Sequence, residues 1–377
     1  MRARDLGLAC GALPAGERNS IADVPGVTVG HATIAEADVL TGVTAVLPLD
    51  GDMFIDRPLA AAHVLNGFGK SVGLIQVNEL GCLETPILLT NTFGVSACAT
   101  ALIRRAVRDN PEIGRRTSTV NPMVLECNDG YLSDIQAMAV TEAHAEAAIE
   151  TAADDFATGA VGAGTGMSCF GMKGGVGSAS RQLRLDGAVW HLGVLVLANF
   201  GRAGDLRLPD GRRIDQDAPI EPGPPPGQGP SPGQGPSPGQ GQAPGQRRPS
   251  DQGQPPAAET GSCIIVIGTD IPLDHRQLAR VARRAGVGLA WCGSFWGNGS
   301  GDIALAFTTA NRVPAEPDAA FLEHRVLAEA RIDRLFQAAA EATQEAVLDA
   351  LAGAATTLGR HGHRRVGLRE VLRGPRG

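Results

Sequence analysis

The stretch Glu259-Thr-Gly-Ser-Cys-Ile-Ile-Val-Ile-Gly-Thr-Asp270 joins a glycine–serine bond to a run of β-branched residues. The run from 263 to 267 predicts a fully buried strand with Ser262 at its head, where a serine can be a nucleophile. If the Gly261–Ser262 bond is cut, Ser262 also gains an α-amine, whose reference pKa of about 8 suits it to act as a base beside its own hydroxyl. The stretch therefore points to an N-terminal nucleophile, although a lone Gly-Ser pair more often only begins a strand.

The overall composition excludes several classes of protein. With 43% hydrophobic residues and a net charge of -7, the chain is that of an ordinary globular protein. The acidic balance and the lack of a basic stripe argue against a nucleic-acid partner. No run of about 18 apolar residues is present, so no membrane span is predicted. The seven cysteines are scattered without a Cys-x-x-Cys pair, which favours reduced thiols and a cytoplasmic location.

Strand and helix signals alternate along the chain and predict an α/β fold. Strands are expected at 27–34, 41–47, 86–90, 123–126, 181–185, 188–197, 263–267 and 303–309. Helices are expected at 95–107, 142–153, 321–330 and 332–351, together with one that begins at Asp274 and ends near Gly286 and Gly288. The length allows two domain-sized cores, but we expect one composite domain over 1–377, because the only linker-like tract ends just before the candidate nucleophile.

That tract covers residues 219–258 and is built from repeats of proline, glycine, glutamine and serine. Such a composition cannot bury a core, and it predicts a disordered or partly polyproline II tether. The tract ends four residues before Ser262. It would therefore leave the Gly261–Ser262 bond on a mobile approach and let the new chain ends separate after cleavage.

Polar side chains collect at the ends of the predicted strands. Glu126 ends an apolar strand and precedes a polar turn with Tyr131, the only tyrosine of the chain. Asn199 follows a long apolar strand, where its amide could either donate to a developing oxyanion or cap a loop. Ser300 and Asp302 lie in a loop rich in Gly, Ser and Asn, before another buried strand. A loop of this kind is typical of an active-site wall.

No cofactor or metal site is expected. The glycine-rich segment 159–177 has neither the dinucleotide-binding spacing nor a Gly-Lys-Ser/Thr motif, so a close backbone approach or a pocket wall is favoured over phosphate binding. His361 and His363 lie in an Arg-rich tail without a carboxylate at ligand spacing. We interpret them as surface groups.

Taken in order, these motifs resemble the DmpA-type aminopeptidase family, which comprises L-aminopeptidase/D-esterases and β-peptidyl aminopeptidases. The resemblance extends through Asp23-Val-Pro-Gly-Val27, Thr41-Gly-Val-Thr44, Leu89-Thr-Asn-Thr92 and Gly162-Ala-Gly-Thr-Gly-Met167. It implies a four-layered αββα sandwich like that of the N-terminal-nucleophile hydrolases, with a different connectivity. It also implies a precursor that cuts itself at Gly261–Ser262 into an α chain of residues 1–261 and a β chain of residues 262–377. By the same resemblance, the αβ units would assemble into a tetramer.

The resemblance also assigns roles to the polar residues. Ser262 would be the nucleophile, and Ser300 and Asp302 its polar partners. Asn199 would be an oxyanion donor. Tyr131 would lie in the pocket, and Glu126 would receive the ammonium group of the substrate. Two features depart from the family: some relatives carry the longer Glu where Asp302 stands, and the 219–258 tract is an insertion.

The function that follows is release of N-terminal residues from small peptides, amides or esters through an acyl-enzyme on Ser262. An acyltransferase of the ornithine acetyltransferase type is an alternative, but that family uses a threonine nucleophile. An unprocessed binding or scaffold protein is a second alternative. The sequence leaves open the preference for α- or β-peptides, for amides or esters, and for stereochemistry.

Overall fold

The computed structural model describes residues 1–214 and 259–373, so the predicted tether at 219–258 lies outside the described residues. The strands are β1 Thr28–Glu36, β2 Val39–Leu47, β3 Asp56–Gly67, β4 Ile87–Asn91, β5 Met123–Cys127, β6 Ser168–Cys169, β7 Met172–Lys173, β8 Gly175–Leu185, β9 Ala188–Asn199, β10 Thr260–Thr269, β11 Gly299–Pro314, β12 Thr357–Leu358 and β13 Arg364–Arg365. The α-helices are α1 Leu74–Leu80, α2 Val95–Asp109, α3 Glu142–Glu150, α4 His275–Trp291, α5 Asp333–Gly353 and α6 Leu368–Arg373. None of the helices in these ranges is long and apolar enough to cross a membrane.

Two mixed sheets form the centre of the described structure. One has the strand order β1-β2-β4-β5, and the other has the order β3-β11-β10-β9-β8. In the five-stranded sheet β10 and β11 run parallel, and each has an antiparallel partner on its other side, β9 and β3 respectively. The two strands from after residues 219–258, β10 and β11, therefore lie between strands from before that segment in one sheet.

Helices cover the outer face of each sheet. α4 and α5 pack on the five-stranded sheet, and α2 and α3 pack on the four-stranded sheet. Apolar side chains of both sheets, including Leu125, Ile264 and Leu305, form a third core between them. The order helix, sheet, sheet, helix confirms the predicted αββα sandwich.

Most of the predicted elements are present. The elements that were not expected from the sequence are β3, α1, α6 and the two-residue strands β6, β7, β12 and β13. β3 carries three consecutive alanines, Ala60, Ala61 and Ala62, which have little preference for a strand. It is a strand because it pairs with β11, a partner more than 200 residues away. β8 also begins earlier than expected, at Gly175, inside the glycine-rich segment.

The helix predicted at 321–330 is wrong. Residues 321–328 form no regular element, and Phe321 is 90% exposed, so the apolar pattern does not mark a packed helical face. The carbonyl oxygens of Arg325 and Leu327 accept hydrogen bonds from the side chains of Asn311 and Gln277. These long-range bonds replace the i to i+4 bonds that a helix would need.

The predicted end of α4 is also wrong, because the helix continues past both glycines to Trp291. At Gly288 an added Cβ would lie 2.5 Å from the carbonyl oxygen of Ala340 on α5. At Gly286 it would lie 2.9 Å from a methyl carbon of Leu65. The glycines therefore allow close packing rather than ending the helix.

Candidate active site

Ser262 lies near the start of β10 and is only 4% exposed. Its hydroxyl donates to the carbonyl oxygen of Gly261 at 2.8 Å and accepts from the backbone N–H of Gly301 at 3.3 Å. The nucleophile candidate therefore lies directly beside the carbonyl of the bond that the sequence predicts to be cut.

Gly261 adopts a backbone conformation that strongly favours glycine. Its φ is +113°, and an added Cβ would lie 2.0 Å from the carbonyl oxygen of Asn199. A side chain at this position would both strain the backbone and collide with β9. The residue before Ser262 is thus fixed as glycine by tertiary packing.

Asn199 is paired directly with Ser262 across the antiparallel β9 and β10 strands. Its side-chain oxygen accepts from the backbone N–H of Ser168 at 2.8 Å, and its Nδ2 donates to the carbonyl oxygen of Asn128 at 2.9 Å. These two bonds fix the amide beside Ser262. Since an amide NH2 has two hydrogens, the bond to Asn128 leaves a second N–H for an oxyanion.

Ser300 and Asp302 lie on β11, next to the nucleophile strand. In the parallel register Ser262 is opposite Gly301, whereas Ser300 is opposite Gly261 and Asp302 is opposite Cys263. Paired residues of a sheet share a face, so the side chains of Ser300 and Asp302 lie on the other face from the Ser262 hydroxyl. They are placed beside the backbone of residues 261–263 rather than beside Oγ.

Both side chains are fully buried. Ser300 Oγ and the two carboxylate oxygens of Asp302 have no hydrogen-bond partner among the described residues. Burial raises the pKa of Asp302 to about 7, with the nearby Ser300 hydroxyl opposing that shift and the charge of Glu259 adding to it. A buried carboxyl group without a partner is costly, which makes this pair a candidate for binding a cation.

Glu126, at the end of β5, is 2% exposed. One carboxylate oxygen accepts from the backbone N–H of Lys70 at 2.8 Å, and the other accepts from the hydroxyl of Thr92. The loop that carries Lys70 also places the carbonyl oxygen of Phe68 close to Gly301, where an added Cβ would lie 2.7 Å from it. This loop therefore connects Glu126 to the surroundings of Ser262.

Tyr131 contacts the C-terminal segment. Its ring is stacked on His363 with centroids 4.6 Å apart, and the guanidinium carbon of Arg365 lies 3.6 Å from the ring centroid. His363 is half-buried and makes a hydrogen bond with the carbonyl oxygen of Tyr131 at 2.7 Å, whereas His361 is exposed. The hydrogen bonds of Ser262 and Asn199 do not reach Tyr131.

A buried lysine supports the site and was missed by the sequence analysis. Lys173 is fully buried, and its Nζ donates to the carbonyl oxygens of Gly164, Met167 and Gly174 at 2.8–2.9 Å. Burial lowers the pKa of Lys173 to about 7, and it likewise raises the pKa of the neighbouring Asp129 to about 7. The only available signal was that Lys173 is one of two lysines and lies in a glycine-rich segment.

Within 1–214 and 259–373, no group of three or more His, Cys, Asp or Glu side chains is arranged to hold a metal ion. All seven cysteines are free and buried. What the residues do assemble is a buried serine hydroxyl, a fixed amide and a buried carboxyl group, which together can support acyl transfer to a serine.

Comparisons with known proteins identify the family. The model of "Peptidase family S58" matches residues 19–365. The chain is 34% identical over 380 residues to the beta-peptidyl aminopeptidase BapA of Sphingosinicella microcystinivorans, covering 96% of this chain and 88% of that protein. A Burkholderia sp. beta-aminopeptidase structure is 36% identical, with a TM-score of 0.82 and full coverage of both chains.

A third relative is the L-aminopeptidase D-Ala-esterase/amidase of Ochrobactrum anthropi, described as a prototype for the serine aminopeptidases and a variant of the Ntn hydrolase fold. It is 32% identical, with a TM-score of 0.82, and the match covers 99% of this chain and 98% of that one. These names give no support to the acyltransferase alternative. The chain is an aminopeptidase, and it belongs to peptidase family S58.

Proposed function

We propose that the chain cuts itself between Gly261 and Ser262 and then acts as an N-terminal serine aminopeptidase. The observation that carries this proposal is the placement of the Ser262 hydroxyl 2.8 Å from the Gly261 carbonyl oxygen, with Asn199 directly across the strand pair. The nucleophile, the bond to be cut and an oxyanion donor thus meet at one strand end.

The self-cleavage is an intramolecular acyl transfer followed by hydrolysis. Ser262 Oγ attacks the Gly261 carbonyl carbon, its proton passes to the departing nitrogen, and the C–N bond breaks to leave an ester. Water then hydrolyses that ester. The products are a carboxylate on Gly261 and an α-amine on Ser262, and no oxidant or cofactor is consumed.

In the mature enzyme the same hydroxyl would attack the substrate, with the freed α-amine of Ser262 as the base. Ser300 and Asp302 lie beside the backbone of Ser262 and lack partners among the described residues, so they are suited to hold this amine. Asn199 would stabilise the oxyanion, and water would release the acyl group.

Glu126 would receive the substrate ammonium, and Tyr131 would form part of the pocket wall. Each carboxylate oxygen of Glu126 has one hydrogen-bond partner in the described structure, and an ionised carboxylate can accept about four. A charged amine would therefore add to the existing bonds. Free-amine p-nitroanilides should be hydrolysed well and their N-acetyl analogues poorly, and equal rates would remove Glu126 from this role.

The proposal also covers the substrate class, the assembly and the cellular location. The substrates are small peptides, amides or esters, in line with the names of the relatives. The αβ units form a homo-oligomer, which the family resemblance supports. A cytoplasmic location follows from the seven cysteines, all of which are free thiols, as is usual in a reducing compartment.

The variant Ser262→Ala tests the proposal directly, because one hydroxyl performs both the self-cleavage and the hydrolysis. We expect the wild type to run as two fragments on a denaturing gel, with Ser262 as the new N-terminus. The variant should run as one full-length band without peptidase activity. Cleavage in the variant, or a full-length wild type with undiminished activity, would contradict the proposal. Profiling L-, D- and β-amino acid p-nitroanilides would then define the substrate class.

A further inference from the structure

Glu259 is a buried carboxylate that precedes the proposed cleavage site by two residues. It is 2% exposed, although it directly follows the segment that lies outside the described residues. Its two oxygens accept hydrogen bonds from the Ser294 hydroxyl at 2.5 Å, the Phe295 N–H at 3.1 Å and the Gly297 N–H at 3.2 Å. Burial of a carboxylate is costly unless donors bind it, so the three hydrogen bonds indicate a specific site for this side chain.

The loop that Glu259 binds leads directly into β11. At Gly297 an added Cβ would lie 2.6 Å from the Glu259 carbonyl oxygen, so the two segments fit closely only with glycine there. The carbonyl oxygen of Gly297 in turn accepts from the N–H of Ser300 at 2.9 Å. The Glu259 carboxylate therefore fixes the chain before the Gly261–Ser262 bond against the loop that precedes Ser300.

The Gly261–Ser262 bond needs an anchor on each side. After the bond, β10 is paired with both β9 and β11, whereas before the bond Thr260 and Gly261 are paired with β11 but not with β9. Before it, Gly261 has a φ of +113°, a conformation that a free chain does not hold by itself. Two residues before Gly261, the side chain of Glu259 binds the loop at 294–297.

We propose that Glu259 is a positioning residue for self-cleavage, which holds the acyl side of the Gly261–Ser262 bond in place for attack by Ser262. The inference rests on the proposed self-processing. After cleavage Glu259 belongs to the α chain, whereas the nucleophile belongs to the β chain. The bond that Glu259 positions no longer exists after cleavage, so we expect its contribution to be to processing rather than to turnover by the mature enzyme.

The test compares processing with mature activity. Glu259→Gln keeps the volume but removes the charge and places an NH2 group against N–H donors. From the strength of hydrogen bonds to charged groups, we expect processing after a pulse of cell-free synthesis to slow by about 10- to 100-fold. The kcat/KM of the processed fraction, normalised to the amount of free N-terminal Ser262, should stay within about twofold of the wild type, a difference of under ~0.5 kcal/mol.

Ser294→Ala is the matched variant, since it removes one donor and leaves the carboxylate and both N–H donors in place. It should slow processing less than Glu259→Gln, and the double variant should be no slower than Glu259→Gln alone because both act on one cluster. If Glu259→Gln gives no folded protein, unchanged processing in Ser294→Ala overturns the inference.

The outcomes separate this inference from the proposed function. A wild type that never cleaves would refute the self-processing itself. A wild type that cleaves, with Glu259→Gln cleaving at the same rate, would overturn only the role of Glu259. An equal loss of processing and of mature kcat/KM would also overturn it, because that result indicates a general support of the loop.

Discussion

At the residue scale, the buried carboxyl group of Asp302 lowers the stability of the folded state at neutral pH. Burial raises its pKa from 3.8 to about 7, and its oxygens lack partners among the described residues. The folded state therefore binds more protons than the unfolded state between these two values, so the stability contribution of Asp302 is present below pH 4 and is lost as the pH rises to 7.

We predict that Asp302→Asn stabilises the unprocessed chain at neutral pH. The comparison is made in the Ser262→Ala background, where no free α-amine can pair with Asp302. The gain in unfolding free energy should be near zero at pH 4 and reach a few kcal/mol, at most about 4, at pH 8, from about 1.4 kcal/mol per pKa unit. Urea unfolding at both values measures it. An equal effect at pH 4 and pH 8 would exclude titration of Asp302 as the cause.

At the element scale, the conformation of the glycine-rich segment is stabilised by the ammonium group of Lys173. Lys173 binds three carbonyl oxygens of this segment, and the segment presents the Ser168 N–H to the side chain of Asn199. Lys173→Met keeps the length of the side chain but leaves those carbonyls without their donor. We expect a loss of roughly 2–5 kcal/mol in unfolding free energy and a lower kcat with little change in KM.

Lys70→Met is the control for stability, because Lys70 is the other lysine of the chain and is exposed. Its ammonium lies 4.3 Å from the ring centroid of Phe68 and makes an exposed cation–π contact. Denaturant unfolding should show a change below about 1 kcal/mol for Lys70→Met. If both lysine variants lose the same stability, the three bonds to carbonyl oxygens are not the reason for the effect.

At the scale of the whole molecule, the two proposed chains are joined through the centre of the fold. β10 from Ser262 onward and β11 belong to the β chain, and they pair with β9 and β3 of the α chain. Fully buried Arg181 of the α chain binds Glu341 and Glu345 of the β chain at 3.2 and 2.8 Å. A shared sheet and buried ion pairs cannot be opened without unfolding the core.

We therefore predict that processing does not release either chain. Processed protein should elute from size-exclusion chromatography as one species that contains both fragments, with the same apparent size as unprocessed Ser262→Ala. The fragments should separate in concentrated guanidinium. Separate elution of the fragments in native buffer would contradict the shared sheet.

Elements whose signals are local could be predicted from the amino-acid sequence alone. The run after Ser262 forms β10. Asp274, where a helix is predicted to begin, caps α4 by accepting from the Gln277 N–H at 2.6 Å. The Asp186-Gly187 turn joins β8 to β9. The order and spacing of the polar motifs were also enough to identify the family, because both are properties of the linear sequence.

Features that depend on partners distant in the sequence could be seen only in the folded chain. β3 is a strand because β11 pairs with it, and residues 321–328 are not a helix because distant side chains bind their carbonyl oxygens. The face on which Asp302 lies, relative to the Ser262 hydroxyl, follows from the register of two strands. Lys173 and Glu259 are buried against loops that are distant in the sequence. No local sequence pattern predicts the burial of a charged group, because the donors and acceptors that stabilise the buried charge are brought to it by the fold.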